Sequence, residues 1–147
     1  MLRREEMLCF SLGVAMRRIS KLYAEALAEF EITPPQLFLL TCLEMHDGQK
    51  PRDLAEMVSL DSSSMTPLLD RTEAAGLLVR KPDPDDRRAL RIFLTERGRQ
   101  LSAKLEPVVQ DLQDRIHREL FADYSPDQVR LFKEMLTHVR KESPDGS

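Results

Sequence analysis

The spacing of apolar residues predicts a mostly helical chain that is interrupted once, near the middle, by two short strands. From Glu5 to Phe30, apolar residues recur every three or four positions, which is the period of a helix that buries one face. Their heptad character suits packing against another helix or a second chain. The same period returns after Thr95 and again after Ser125. The first stripe is Leu8, Leu12, Ala15, Ile19, Leu22 and Ala26; the second is Leu101, Leu105, Val109, Leu112, Ile116 and Leu120; the third is Val129, Phe132, Leu136 and Val139.

Capping residues predict where the helices begin and end. Thr33 to Gln36 forms a capping box with proline at the first helical position, and Asp47-Gly48 ends the helix that follows. Thr95 predicts the start of a long helix, in which Pro107 removes a backbone donor and is expected to cause a kink. Ser125 to Gln128 repeats the capping box and opens the last helix.

The middle of the chain has the element order of a winged helix-turn-helix. A short helix, Pro51 to Val58, is followed by three residues and then by a second helix from Ser62 to Ala75, which Gly76 ends. Two strands are predicted over Leu77–Lys81 and Leu90–Leu94, joined by a polar tip rich in turn residues. This order predicts a mainly α-helical winged helix-turn-helix with a small β-hairpin, whose second helix enters the major groove of DNA.

The start of that second helix carries side chains suited to DNA. Four short hydroxyls lie here, on Ser62, Ser63, Ser64 and Thr66. Together with the free N–H groups of a helix start, they can bond to phosphates and base edges. Arg71 lies two turns further along, within reach of a phosphate or a guanine edge. A serine-rich start is also an ordinary helix cap, and by itself the capping interpretation is the more common one.

The hairpin tip is the second candidate DNA contact. Arg87 and Arg88 lie at its apex, and an arginine on a projecting hairpin can enter a narrow, A·T-rich minor groove. Asp86, two residues before Arg88, is expected to hold that guanidinium in a fixed pose. The alternative is a solvated surface turn with an incidental ion pair, which contributes little.

The net charge argues, at first, against a nucleic-acid partner. The 147-residue chain is 41% hydrophobic and 32% charged, as one globular domain would be, and its net charge is −3. Residues 50–100, however, carry 10 basic and 9 acidic side chains, or +1, whereas 1–49 and 101–147 carry −2 each. The acidity therefore belongs to the terminal helices. We expect modest phosphate neutralisation and a shallower salt dependence than that of a strongly basic DNA-binding protein.

Other classes of protein are excluded more directly. The longest apolar run, Leu37–Leu40, is far shorter than the roughly 20 residues of a membrane helix, and the N-terminus has no signal-peptide pattern. Two cysteines, Cys9 and Cys42, make no disulfide framework, and the three histidines lie far apart without ligand spacing. We expect a cytoplasmic protein with no metal site, no cofactor and no membrane partner.

The central motifs resemble those of the MarR family of bacterial transcriptional regulators. The resemblance is carried by Asp83–Arg88, followed six positions later by Leu94-Thr95 and then by Gly98, and by the segments Asp53–Ala55 and Glu73–Leu78. With the flanking helices it covers nearly the whole chain. It implies an obligate dimer that binds a double-stranded operator, in most members as a repressor released by a small ligand or by cysteine oxidation.

The resemblance also divides the chain by role. One domain is expected over 1–147, in which residues of about 36–97 form the winged helix-turn-helix. The flanking helices, about 1–35 and 98–142, are expected to form the dimerisation region. This expectation agrees with the apolar stripes found in both.

The segment around Cys9 resembles the organic-hydroperoxide and oxidative-stress sensors of this family. The surrounding sequence is Leu8–Leu12, and the recognition helix shares the branch's pattern from Leu60 to Arg71, including Pro67. A sensor cysteine needs thiolate character and access, and its oxidation begins with the sulfenic acid. Cys42, inside a leucine-rich helix, is interpreted as core packing.

In that branch, tyrosines from the partner subunit bond to the cysteine. Tyr23 matches one of them, and the other two matching positions hold Gly13 and Pro34. Tyr23 lies 14 residues after Cys9, about 21 Å along a continuous helix, so a contact must cross the dimer interface. The C-terminal half has no cysteine, which leaves a mixed disulfide with a small thiol, or overoxidation, as the route.

Four hypotheses follow. The first is a dimeric repressor of a pseudo-palindromic operator, released when Cys9 is oxidised by an organic hydroperoxide. The second is the same repressor, released instead by a small aromatic or anionic ligand in the cleft between the dimer helices and the winged domain. A thiol peroxidase using Cys9 is disfavoured because no resolving cysteine or activating base lies nearby. A protein-interaction module without DNA binding is disfavoured by the wing arginines.

Overall fold

The computed structural model describes residues 3–141, which form two compact units. The first unit extends to Gln110 and the second begins at Asp111. The described part contains six α-helices and one antiparallel hairpin: α1 (Leu8–Leu27), α2 (Pro34–Met45), α3 (Pro51–Val58), α4 (Ser62–Ala74), β1 (Leu78–Pro82), β2 (Leu90–Leu94), α5 (Glu96–Leu120) and α6 (Pro126–Lys141). The predicted fold class, mainly α with a small β-hairpin, is confirmed. Within residues 3–141 no helix combines the length and apolarity needed to cross a membrane.

The first helix is shorter than predicted. Its apolar pattern runs from Glu5 to Phe30, but α1 is flanked by 3₁₀ turns at Arg4–Glu6 and Ala28–Phe30. Met7 is extended (φ −87°, ψ 114°) and Glu31 is left-handed (φ 55°), and these two residues interrupt the helical hydrogen bonding. Side-chain periodicity does not distinguish a 3₁₀ turn from the end of an α-helix, so the pattern overestimated the length.

The core of the first unit is built from leucines on α2, α3 and α4. These helices bury one face each, against the hairpin and the first turns of α5. The fully buried leucines include Leu39, Leu40, Leu43, Leu54, Leu68, Leu77 and Leu78. The bounds of α3 are as predicted, because a proline at its first position and Ser59 in the left-handed conformation (φ 57°) define both ends.

The hairpin begins one residue later than predicted. Leu78 pairs with Leu94, and the ladder continues to Pro82 opposite Leu90. Leu77 lies outside the ladder because its N–H donates to the Thr72 carbonyl (3.1 Å) at the exit of α4. That exit requires Gly76 in the left-handed conformation (φ 73°).

A third segment, which the sequence did not predict, joins the sheet. Gln49 forms an isolated antiparallel bridge with Ile92, whose N–H donates to the Gln49 carbonyl at 2.9 Å. Gly48, in the left-handed conformation (φ 74°), donates its N–H to the Ile92 carbonyl at 3.0 Å. The residues just before α3 are thereby fixed to the second strand of the wing.

Predicted caps position the last two helices. Thr95 accepts the Gly98 N–H (3.0 Å) and donates to the Gly76 carbonyl (2.6 Å), which joins the start of α5 to the exit of α4. α5 continues through Pro107, and the expected kink there stays a prediction. In the second unit, Ser125 donates its N–H to Gln128 (2.8 Å), and this confirms the second capping box.

Candidate nucleic-acid interface

The start of α4 is a well-formed helix cap with an exposed polar surface. Asp61 is the N-cap, and its carboxylate accepts the Ser64 N–H (2.7 Å) and the Ser63 hydroxyl (2.8 Å). These bonds, that of the Ser64 N–H first, lower the pKa of Asp61. The Ser64 N–H and the Ser63 hydroxyl proton are therefore engaged in capping. That this helix start binds DNA stays a prediction, and these two donors are already engaged within the chain.

The outward face of α4 carries the remaining candidates. Ser62, Ser64, Thr66, Pro67 and Arg71 are all exposed. The opposite face, with Met65, Leu68, Leu69 and Thr72, is buried in the core. The Thr66 hydroxyl donates to the Ser62 carbonyl at 3.1 Å, which leaves its oxygen lone pairs as acceptors toward solvent. α4 continues through Pro67, and the helix thus presents a small, hydroxyl-rich surface ahead of Arg71.

The wing tip exposes two arginines on a hydrogen-bonded turn. Ala89 donates its N–H to the Asp86 carbonyl (2.9 Å), and Asp83 donates its N–H to the Ala89 carbonyl (3.0 Å). Arg87 and Arg88 are exposed, and within residues 3–141 neither takes part in an ion pair. Their guanidinium groups are consequently available to an external anion.

The expected role of Asp86 is wrong in one respect. Its carboxylate accepts the backbone N–H of Arg88 at 3.0 Å instead of holding the Arg88 guanidinium. An Asp side chain reaches the N–H two residues ahead with little strain, which is the geometry of an Asx turn. Asp86 shapes the backbone of the tip and leaves the arginine side chains unconstrained.

Two ionic clusters that sequence reasoning missed hold the wing in place. Arg80 on β1 bonds to Asp70 (2.5 Å) and Glu73 on α4, and Glu73 also accepts the Arg80 N–H at 3.0 Å. These pairs span 7 and 10 residues across a turn, so no helical or strand spacing indicates them.

The second cluster surrounds Asp83 at the base of the wing. Its side chain is only 1% exposed and accepts the Asp85 N–H (2.9 Å) and Arg91 Nε (2.8 Å). The Asp85 N–H, and then the Arg91 guanidinium, hold the pKa of the Asp83 carboxyl below its ordinary value. The signal in the sequence was the Asp-Pro-Asp turn, which favours a carboxylate bonded to its own backbone.

The structure separates the two candidate redox residues within one chain. Cys9 is exposed in the first turn of α1, whereas Tyr23 is half-buried near the other end and packs edge-on against Phe38, with ring centroids 5.7 Å apart. Cys42 is half-buried against the leucine core, and burial raises the pKa of its thiol. The interpretation of Cys42 as core packing is thereby supported.

The described residues contain no metal centre. Within 3–141, no three His, Cys, Asp or Glu side chains come together in a way that could hold an ion. The exposed side chains of this surface are hydroxyl and guanidinium groups, which bind phosphates and base edges.

Comparison with known proteins assigns the fold to a family. The MarR family model matches residues 32–90. The organic hydroperoxide resistance transcriptional regulator of Bacillus subtilis is 37% identical over 103 residues, which cover 70% of each chain. The chain belongs to the MarR family. It is a DNA-binding transcriptional regulator of that family. The family and the relatives named here are transcriptional regulators, not enzymes.

Two further similar proteins extend the comparison. The regulator TtmR of Methylorubrum extorquens is 36% identical over 102 residues, and the match spans 69% of this chain but only 52% of TtmR. The solved structure of the transcriptional repressor CouR bound to a 23-mer DNA duplex is 26% identical, with a TM-score of 0.81 over 95% of this chain and 98% of CouR. The winged helix-turn-helix fold predicted from the sequence is confirmed by such neighbours.

Proposed function

We propose that this MarR-family regulator is a homodimeric repressor of a pseudo-palindromic operator. The start of α4, with Ser62, Ser63, Ser64, Thr66 and Pro67, enters the major groove, and Arg71 reaches a phosphate or a guanine edge. Arg87 and Arg88 enter the adjacent minor groove, on a tip whose backbone Asp86 fixes. The observation that carries this assignment is the pair of exposed arginines, without an ion-pair partner among residues 3–141, at the tip of a wing bonded to the helix-turn-helix.

Exposed apolar side chains on the terminal helices support the dimer. In the first half of α1, Leu8 is 68% and Met16 63% exposed, and on α6 Met135 and Val139 are each 59% exposed. Runs of exposed apolar residues on one chain are unfavourable in water and mark surfaces that a partner covers. We assign residues of about 1–35 and 98–142 to dimerisation and about 36–97 to DNA binding, within one functional domain over 1–147.

We propose that oxidation of Cys9 releases the repressor. The Cys9 thiolate attacks one oxygen of an organic hydroperoxide; the O–O bond breaks, the sulfur is oxidised by two electrons to the sulfenic acid, and the alkoxide takes up a proton and leaves as an alcohol. A small thiol then condenses with the sulfenic acid, forming the S–S bond of a mixed disulfide and releasing water.

Position supports this role for Cys9. It lies in the first turn of α1, where the partial positive charge of the helix favours a nearby anion, and between the exposed Leu8 and Phe10. A polar or bulky adduct there disturbs the apolar surface assigned to the dimer, and with it the spacing of the two recognition helices. We infer that a contact between Cys9 and Tyr23 is made across the dimer, because within one chain the two residues lie about 21 Å apart along α1.

The test compares DNA release by peroxide in three proteins. A labelled duplex selected from a random-sequence library is bound by wild type, Cys9→Ser and Cys42→Ser, and cumene hydroperoxide is added with glutathione. We expect wild type and Cys42→Ser to release the duplex and Cys9→Ser to retain it. Equal release by wild type and Cys9→Ser would rule out Cys9 as the switch.

A groove in the first unit favours a second candidate, release by a small anionic ligand. The cavity holds about 470 Å³ beside the start of α5, where Arg97 and Lys104 line it together with the carboxylates of Glu29 and Glu31. The two cations can bind a ligand carboxylate, in competition with the two glutamates. Salicylate serves as the probe: release of both wild type and Cys9→Ser by salicylate, without oxidant, favours this alternative.

A further inference from the structure

Asp83 joins three segments of the winged helix through one buried carboxylate. It accepts the N–H of Asp85 at the start of the tip and Nε of Arg91 on β2. Its Oδ2 also lies 4.0 Å from Nζ of Lys50, the N-cap residue of α3. Arg91 is bonded in turn to the Gly48 carbonyl at 3.1 Å. The wing, the second strand and the entry to the helix-turn-helix thus share this carboxylate.

Asp83 is the most buried of the three side chains in this cluster. The Asp83 side chain is 1% exposed, whereas Arg91 is 34% and Lys50 48% exposed. A buried carboxylate without partners is strongly unfavourable, while an exposed cation that loses its partner is simply rehydrated. Two of the partners of Asp83, the Asp85 N–H and the Arg91 Nε, belong to the hairpin itself. The cluster is joined to the segment before α3 by Lys50 and by the bond from Arg91 to the Gly48 carbonyl.

Asp83 itself cannot contact DNA, because its oxygens are enclosed by these donors. The arginines of the tip follow it by four and five residues on the same turn. The hydrogen bond between Asp85 and Asp83, together with the Asp86 turn, leaves little freedom between the buried carboxylate and that tip. A movement of Asp83 is consequently passed on to Arg87 and Arg88.

We propose that Asp83 is a positioning residue for DNA binding: it fixes the base of the wing to the entry of the helix-turn-helix and so sets where Arg87 and Arg88 meet the minor groove. This inference rests on the proposed function of those two arginines. In this proposal, the buried carboxylate of Asp83 sets the distance between the major-groove and the minor-groove contacts of each half-site.

A double-mutant cycle tests the proposal. Binding of the selected duplex is measured for four proteins. They are wild type, Asp83→Asn, a double variant that carries both Arg87→Ala and Arg88→Ala, and a triple variant that carries all three changes. Asp85→Asn is the matched control, since it makes the same change of charge on an exposed neighbour whose backbone donor is retained. Far-UV circular dichroism and thermal unfolding show that each protein is folded at the assay temperature. If Asp83→Asn fails to fold, Arg91→Lys replaces it, keeping the charge and removing the Nε donor.

We expect Asp83→Asn to weaken binding about tenfold in the wild-type background and less than about twofold when both tip arginines are absent. Asp85→Asn should bind as wild type. Hydroxyl-radical footprinting should show lost protection at the outer minor grooves with the central major-groove protection retained. A merely structural role would weaken the whole footprint evenly.

Two results would overturn the proposal. The first is an equal loss from Asp83→Asn with and without the tip arginines, which means that Asp83 does not act through them. The second is unchanged affinity in folded Asp83→Asn. If the two arginine substitutions alone leave binding unchanged, the proposed wing contact itself fails, and any remaining effect of Asp83→Asn is then unrelated to positioning of the tip.

Discussion

In the winged-helix region most of the large apolar side chains are buried within the chain, whereas on α6 and the first half of α1 most of them lie on the surface. Leu39, Leu43 and Leu54 are fully buried, but Leu8 is 68% exposed and Leu131 56%. Both regions are helical and carry regular apolar stripes. The difference shows that the first region is shaped by its own contacts, and that the second has a surface that one chain does not cover.

Alanine at two helical glycines should separate the regions most strongly, since Gly98 at the start of α5 packs against the winged helix and Gly13 lies on the first half of α1. At Gly98 a Cβ would lie 2.1 Å from the Leu77 carbonyl oxygen, so backbone must move, and we expect Gly98→Ala to lower the free energy of unfolding by about 3 kcal/mol or more. At Gly13 of α1 the nearest atom is the flexible end of Arg17 at 3.6 Å, and Gly13→Ala should stabilise by up to about 1 kcal/mol. Urea unfolding at equal protein concentration measures both; equal effects would contradict the comparison.

A charge on the exposed stripe of α6 should break the dimer without unfolding the winged helix. We expect Leu136→Glu to raise the dimer dissociation constant about 100-fold, because a buried carboxylate at an apolar interface is left unpaired. Sedimentation velocity at several concentrations measures it. Glu134→Gln, on the same helix, is the control and should remain dimeric. A Leu136→Glu protein that stays dimeric at low concentration would exclude this face.

Removing an arginine from the wing tip should affect DNA binding alone. Arg88 is exposed and unpaired within residues 3–141, so Arg88→Ala should leave the unfolding midpoint unchanged. We expect it to weaken binding of the selected duplex by about 1–3 kcal/mol. Fluorescence anisotropy at several salt concentrations measures both affinity and salt slope. Arg118→Ala, an exposed arginine of α5, should bind as wild type. If neither Arg88→Ala nor Arg71→Ala weakens binding, the assigned interface is incorrect.

The smallest effect that we expect is a loss of folding stability in acid that depends on Asp83. The pKa of Asp83 is lowered in the folded state, first by the Asp85 N–H and then by Arg91. Such a carboxyl contributes stability above its unfolded pKa and loses it as the pH falls through the folded pKa. Below about pH 4, wild type should therefore lose more stability than Asp83→Asn, and Asp85→Asn should behave as wild type. Parallel acid profiles for wild type and Asp83→Asn would show that the cluster is not stabilising.

Local chemistry explains which features were predictable. The bounds of α3, the Thr95 cap and the Ser125 capping box depend on residues within four positions of one another, and all agree with the structure. The helix end at Leu27 and the strand start at Leu78 were missed by one to three residues, because each depends on which backbone groups are already bonded elsewhere.

The site residues divide in the same way. That Arg87 and Arg88 lie on an exposed tip followed from the turn composition, and their exposure agrees with it. The bond between Asp86 and the Arg88 backbone is local, and the sequence analysis missed it by pairing Asp86 with the guanidinium instead. The cluster of Asp83, Arg91 and Lys50 was not predictable. Partners up to 43 residues apart meet only after the segment before α3 has joined the sheet.

The sequence alone determined the element order, the helix caps, the arginine tip and the family, because these depend on side-chain type, periodicity and near neighbours. The tertiary structure decided which polar groups distant in sequence are bonded to one another: Arg80 to α4, and Asp83 between three segments. A hydrogen bond requires two groups to be brought within about 3 Å, and for residues distant in sequence only packing of the whole chain fixes that distance.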